Sequence, residues 1–225
     1  MGERASWVYR GVMVLTWPLV RWWGRLMVEG IEALPRSGPV LIFANHDSAW
    51  DPLVIAGAAR HRQICALAKA TLWRHRAIGW VLDGMGQIPI RRGEHDALAI
   101  STAADVLTAG GCVGIFPEGT VSRGRTLRAR SGAGRLALDV PTATIVCAAV
   151  TGSADIVRWP TRPRLRVHFF RPAGGQPHPG ENAHDVSARI LAELRADAPV
   201  VATGRHPGVG RSDSRAAAPS SRSEE

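Results

Sequence analysis

The sequence predicts an α/β domain, a mixed and largely buried sheet flanked by helices, preceded by an amphipathic, membrane-associating helical segment. Short continuous apolar runs bounded by Gly, Pro and Ser recur along the chain, and segments of helical periodicity lie between them. Residues 7–26 mix Trp, Leu and Val with three Arg. A chain of 225 residues can bury roughly 70% of its unfolded surface, so the core needs neither disulfides nor metal. Apolar residues at 45%, charged residues at 21% and a mean hydropathy near zero exclude wholesale disorder and a polytopic membrane protein. Cys65, Cys112 and Cys147 are odd in number, have apolar neighbours and lack C-x-x-C spacing, which predicts buried thiols in a reducing compartment.

In chain order, the segment 7–26 comes first. Its longest charge-free run, 11–20, is ten residues, about half of what a bilayer-spanning helix needs. On a helical wheel Arg10, Arg21 and Arg25 fall within about 60° of each other, with Val8, Val12, Leu15, Leu19 and Leu26 opposite. Trp7, Tyr9, Trp17, Trp22 and Trp23 suit the headgroup boundary, and Pro18 predicts a kink. Packing of this helix on the domain is compatible with such docking. The run 40–43 (VLIF), between Ser37-Gly38-Pro39 and Asn45, is the first strand; 64–66, 86–90, 113–116, 144–150 and 165–170 follow. Helices are expected at 52–59, 72–80, 95–109, 131–138 and 184–196. From Thr203 onward Gly, Pro, Ser, Arg and Ala dominate without periodicity. The expected organisation is a membrane-associating segment at 1–29, one folded α/β domain at 30–198 and a disordered tail at 199–225.

The net charge is +9, carried by 27 Arg and the single Lys69. Residues 204–225 hold four Arg and three acids, so the rest of the chain keeps 24 basic and 16 acidic residues. Phosphate-bearing partners suit this balance. Nucleic acid is not expected, because no aromatic-basic stripe or recognised motif accompanies the charge.

Two clusters carry chemistry. Asn45-His46-Asp47-Ser48-Ala49-Trp50-Asp51 follows the first strand, and a carboxylate five residues after a histidine can hold one ring N–H while the other nitrogen takes a proton. The spacing alone is weak, since about 0.36 such pairs arise by chance at this composition. Phe116-Pro117-Glu118-Gly119-Thr120 also follows a strand and is far rarer by chance. Gly119 permits close backbone approach, Thr120 offers a hydroxyl, and Glu118 can bond an acceptor hydroxyl or order Arg side chains.

N-H-x-x-x-x-D followed some 70 residues later by F-P-E-G-T resembles the glycerolipid acyltransferase family, over approximately residues 30–198. Its best-known members are the 1-acylglycerol-3-phosphate acyltransferases. The resemblance implies His46 as general base and Asp51 as its support. A further block, G-x-x-x-I-x-R, matches Gly86, Ile90 and Arg92 and implies that Arg92 binds the acceptor's phosphate. Glu118, Gly119 and Thr120 match the acceptor-binding turn, with Ser122 and Arg123 close behind. Many members have Arg after F-P-E-G-T where this chain has Val121, so Arg123 is a candidate replacement; the fourth block, 144–148, lacks the family's prolines. Lys69 and Arg130 stand where relatives are often basic and are candidates for donor phosphates, and Arg91 can assist Arg92 or remain a surface charge.

The implied reaction moves an acyl chain from acyl-CoA or acyl-acyl carrier protein to the hydroxyl of a lysophospholipid-type acceptor, first of all 1-acylglycerol-3-phosphate. The donor is a co-substrate; no resident cofactor and no metal are implied. The partners are a membrane lipid acceptor and a membrane surface, at the cytoplasmic face of the cell membrane. An ornithine-type lipid or glycolipid acceptor, or a non-catalytic lipid-binding protein of the same fold, are the alternatives.

Overall fold

A computed structural model of the chain describes residues 5–91, 96–156 and 162–201. Arg92 and most of the expected tail, 202–225, lie outside the described residues. Seven strands form one sheet: β1 (Met27–Glu29), β2 (Val40–Ala44), β3 (Cys65–Lys69), β4 (Ile88–Ile90), β5 (Cys112–Ile115), β6 (Thr144–Thr151) and β7 (Arg166–Phe170). Their order is β1-β7-β6-β2-β5-β3-β4. All neighbours pair in parallel except β6 with β7, so the sheet is mixed.

Alternation along the central strands sends side chains into two cores. From β2, Leu41 and Phe43 join one face with Val113, Ile115, Ile145 and Cys147. That face is covered by α4 (Ala97–Thr108), α5 (Ser131–Asp139) and α6 (Ala183–Asp197), which contribute Leu107, Leu136, Ile190 and Leu194. Val40, Ile42 and Ala44 face the opposite core with Val146, Val150 and Phe169, under α2 (Asp51–Ala58) and the end of the N-terminal segment. The edge strands β1 and β4 are three residues each, and Pro89 sits on an edge where its missing N–H is tolerated.

The six strands expected from apolar runs are present with small shifts. Strand β1 was not expected, because Met27 and Val28 are exposed and its pairing is made by backbone to β7. The helix expected at 72–80 divides into a 3-10 turn, Ala70–Arg74, and α3 (Arg76–Gly84), because His75 takes an extended conformation between them.

The N-terminal segment requires a correction. Helix α1 (Trp7–Pro18) is capped by Ser6, whose Oγ accepts from Tyr9 N at 3.1 Å. Past Pro18, residues Leu19–Trp23 form a π turn closed by Gly24 N–H to Leu19 O at 2.8 Å. Arg25 then takes a left-handed φ of 48°, so the helical wheel does not extend to Arg25 and Leu26. Val8 and Tyr9 pack with Ala56 and Met85, and Leu26 lies in the core under α2. The Tyr9 hydroxyl accepts from Ile64 N at 3.3 Å and donates to Arg62 O at 3.4 Å, which removes this ring from the expected interfacial set. The outward face carries Trp7, Val14, Leu15 and Trp22, all at least 67% exposed, alongside exposed Arg10 and Arg21. Apolar and basic groups therefore share one face, rather than opposing each other. Among the described residues no helix is long and apolar enough to cross a membrane.

Candidate active site

The parallel strands β6, β2 and β5 bring their carboxyl ends together, and the loops leaving β2 and β5 meet there. Asn45 ties the first loop to the sheet: its Nδ2 donates to Val150 O at 2.8 Å and its Oδ1 accepts from Val150 N at 2.7 Å. His46 follows, only 5% exposed. Its Nδ1 lies 3.0 Å from Asp51 Oδ2. Asp51 opens α2 and is fully buried, and the same oxygen accepts from Asp47 N at 2.7 Å and Ser48 N at 2.8 Å. One carboxylate oxygen thus orders both the imidazole and the loop that carries it. Asp51 Oδ1 is buried and has no hydrogen-bond partner among the described residues. With Nδ1 held by a carboxylate, Nε2 is the nitrogen left to take a proton. The expected pairing of His46 with Asp51 is what the geometry shows.

Phe116 stacks on the His46 ring, with centroids 4.1 Å apart and planes 20° apart. It also forms part of the wall of a cleft of about 510 Å³. Leu67, Ile90, Ile100, Ile115 and Phe116 give the cleft an apolar lining, and its charged lining residues are Arg91, Arg130 and Arg135 with one acid, Asp96. Such a combination suits an amphiphile with an anionic head. Arg130 N–H donates to Pro117 O at 2.7 Å, which holds Arg130 against the F-P-E-G-T turn. Arg135 shares its charge with Asp139 at 3.0 Å.

The expected substrate-binding residues divide. Gly119 lines the cleft at φ 68°, closing a turn through its N–H to Phe116 O at 2.9 Å. Thr120 and Arg123 are exposed on the same loop and do not line the cleft; Lys69 is exposed at the end of β3. Gly86 does not line it either. It turns α3 toward β4 at φ 69°, beneath the side chains of Gln63 and Cys65, which corrects its assignment to a conformational role.

Glu118 is corrected more sharply, because its carboxylate is only 2% exposed and does not face the cleft. Its Oε2 accepts the backbone N–H of His46 at 2.7 Å, and its Oε1 accepts from Arg195 Nη2 at 2.5 Å. Both oxygens are engaged, so Glu118 orders the loop that carries His46 and is not free to bond an acceptor hydroxyl. Burial pushes its carboxyl above the usual range in spite of the guanidinium. Burial acts in the same direction on Asp47, but hydrogen bonds from Arg195, Ser122 and Asn45 outweigh it and hold that carboxyl below its ordinary value. Arg195, on α6, was not expected. It stands 148 residues from Asp47 in the chain, and its only sequence signal is its place beside the buried stripe Ile190, Leu191 and Leu194.

Comparison with known proteins agrees with this fold. A solved structure, the 1-acyl-sn-glycerophosphate acyltransferase from Thermotoga maritima, superimposes with a TM-score of 0.63 at 16% identity, over 84% of this chain and 79% of that one. This shows a shared fold. A family model described as Acyltransferase matches residues 25–151, more than half of the sequence, and the chain belongs to that family. It is 35% identical over 124 residues to a 1-acyl-sn-glycerol-3-phosphate acyltransferase of Borreliella burgdorferi, covering 54% of this chain and 49% of that protein. A lyso-ornithine lipid O-acyltransferase of Pseudomonas aeruginosa is 32% identical over 118 residues, 49% of this chain and 44% of that protein. The matches thus span about half the length of these two relatives.

Proposed function

We propose that the chain is an O-acyltransferase that moves a fatty acyl group from a thioester, acyl-CoA or acyl-acyl carrier protein, to the free hydroxyl of a lysophospholipid-type acceptor. The observation that carries this is the His46–Asp51 pair at 3.0 Å, stacked on Phe116 beside an apolar cleft with basic groups. The acceptor oxygen attacks the thioester carbonyl while His46 Nε2 takes its proton, and Asp51 stabilises the imidazolium that forms. Collapse of the tetrahedral intermediate breaks the carbon–sulfur bond, and the imidazolium returns the proton to the departing thiolate. Oxidation states do not change, so the step calls for no redox cofactor.

The preferred acceptor is 1-acylglycerol-3-phosphate, whose phosphate suits the guanidinium groups of Arg91 and Arg130; the family resemblance gives Arg92 the same role. The likeness to a lyso-ornithine lipid O-acyltransferase supports a second acceptor class. Docking at the cytoplasmic leaflet is supported by the outward Trp7, Val14, Leu15 and Trp22 with Arg10 and Arg21. The discriminating experiment supplies purified protein with labelled acyl-CoA or acyl-acyl carrier protein and a panel of lyso-lipids. Acylation of 1-acylglycerol-3-phosphate is expected; acylation of lyso-ornithine lipid alone would replace the acceptor. Absence of transfer to any member would refute the enzymatic reading.

A further inference from the structure

Arg195 sits in the last turn of α6 with its side chain 14% exposed, and its guanidinium spans two carboxylates from two different loops. Nη1 and Nη2 donate to Asp47 Oδ2 and Oδ1 at 2.8 and 2.9 Å, a bidentate fork, while Nη2 also reaches Glu118 Oε1 at 2.5 Å. Each carboxylate leads on to the backbone of His46. Glu118 accepts the His46 N–H at 2.7 Å. Asp47 accepts the Ser122 hydroxyl, and Ser122 N–H donates to the His46 carbonyl at 2.7 Å. The His46 N–H is therefore fixed by Glu118, which Arg195 holds directly, and the His46 carbonyl by Ser122, which Asp47 links to Arg195.

We infer that Arg195 is a positioning residue for the His46–Asp51 pair, acting through Glu118 and Asp47. Helix α6, beyond the stretch that matches the family, thereby completes the site formed by the loops after β2 and β5. Without a cation between them, the half-buried Asp47 and the buried Glu118 are neighbouring acids that repel each other or take up a proton, and either response loosens the backbone of His46. Lysine retains charge but not the planar fork, so it cannot hold both partners in the same geometry. A base displaced by a fraction of an ångström loses turnover without losing the binding of either substrate.

The kinetic test rests on the acyl-transfer reading. Arg195→Met and Arg195→Lys are compared with wild type for kcat and for KM of both substrates, with folding checked by circular dichroism. The expected result is a kcat lower by roughly 10- to 100-fold for Met and several-fold for Lys, with each KM within about twofold. In a Glu118→Gln background, Arg195→Met should reduce kcat much less than it does alone, because the two act on one element. Unchanged kcat in either folded variant, or an acceptor KM that rises at constant kcat, overturns the role. Nitrogen-15 spectra of the His46 imidazole need no turnover and separate this inference from the function. If wild type transfers no acyl group, the acyl-transfer reading fails alone, while a displaced His46 ring signal in Arg195→Lys supports the clamp and an unchanged one removes it. Should Arg195→Met not fold, Arg195→Lys carries both measurements.

Discussion

His46 and Asp51 meet because they stand five residues apart in one turn leading into α2, where the amides of Asp47 and Ser48 converge on the same carboxylate oxygen. The surroundings that make the pair work are less local. Asn45 reaches Val150, and Glu118 reaches His46 from another loop, so their hydrogen bonds connect residues more than 70 positions apart. Glu118 illustrates the limit of a motif: a carboxylate in a glycine-bearing turn suggests contact with a ligand, but burial and the arrival of Arg195 convert it into a scaffold group. Asp51→Asn tests the dyad at this scale. Asparagine keeps the shape and can still accept from the loop amides, but it lacks the charge that stabilises an imidazolium. Its kcat should fall by about 100-fold or more with circular dichroism unchanged, and a kcat near wild type would assign Asp51 to the loop alone.

The elements differ in how plainly the sequence shows them. Buried central strands appear as continuous apolar runs, whereas β1, three residues of backbone pairing with exposed side chains, leaves no such trace. Helix α1 was legible as amphipathic, but which face turns inward depends on the groove that α2 and α3 offer to Val8 and Tyr9. This yields a paired test. Leu15→Ser with Trp22→Ala should reduce sedimentation with anionic lipid vesicles severalfold while leaving thermal stability nearly unchanged. Val8→Ser should do the reverse, lowering the melting temperature with vesicle binding retained. Equal loss of binding in both would mean that the inward and outward faces are misassigned. At the start of α6, Glu181 pairs with Arg189 at 2.9 Å, and its carboxyl is lowered from 4.5 to about 2, first by that hydrogen bond. A depressed carboxyl stabilises the fold above its unfolded value and loses that contribution as pH falls through its folded one. Glu181→Gln should therefore melt below wild type at neutral pH, and the gap should close as pH drops from 4.5 toward 2; a constant gap would dissociate it from this ion pair.

Across the molecule, a sheet with two apolar faces sets the loops after β2 and β5 side by side, and α6 closes the network from one flank. Apolar runs alternating with helices made the α/β class legible, but strand order is a long-range property that no local pattern encodes, and with it went the neighbourhood of Arg195. The net charge of +9 is distributed to distinct places: Arg10 and Arg21 on the outward face of the N-terminal segment, Arg91, Arg130 and Arg135 along the cleft, and Arg195 between two acids. The most direct test of acyl transfer with His46 as base is turnover of labelled acyl donor and 1-acylglycerol-3-phosphate by wild type and folded His46→Ala. Wild type should form the doubly acylated product, and His46→Ala should turn over about 10²- to 10⁴-fold more slowly while still sedimenting with vesicles. Equal turnover by the two proteins would contradict the assignment.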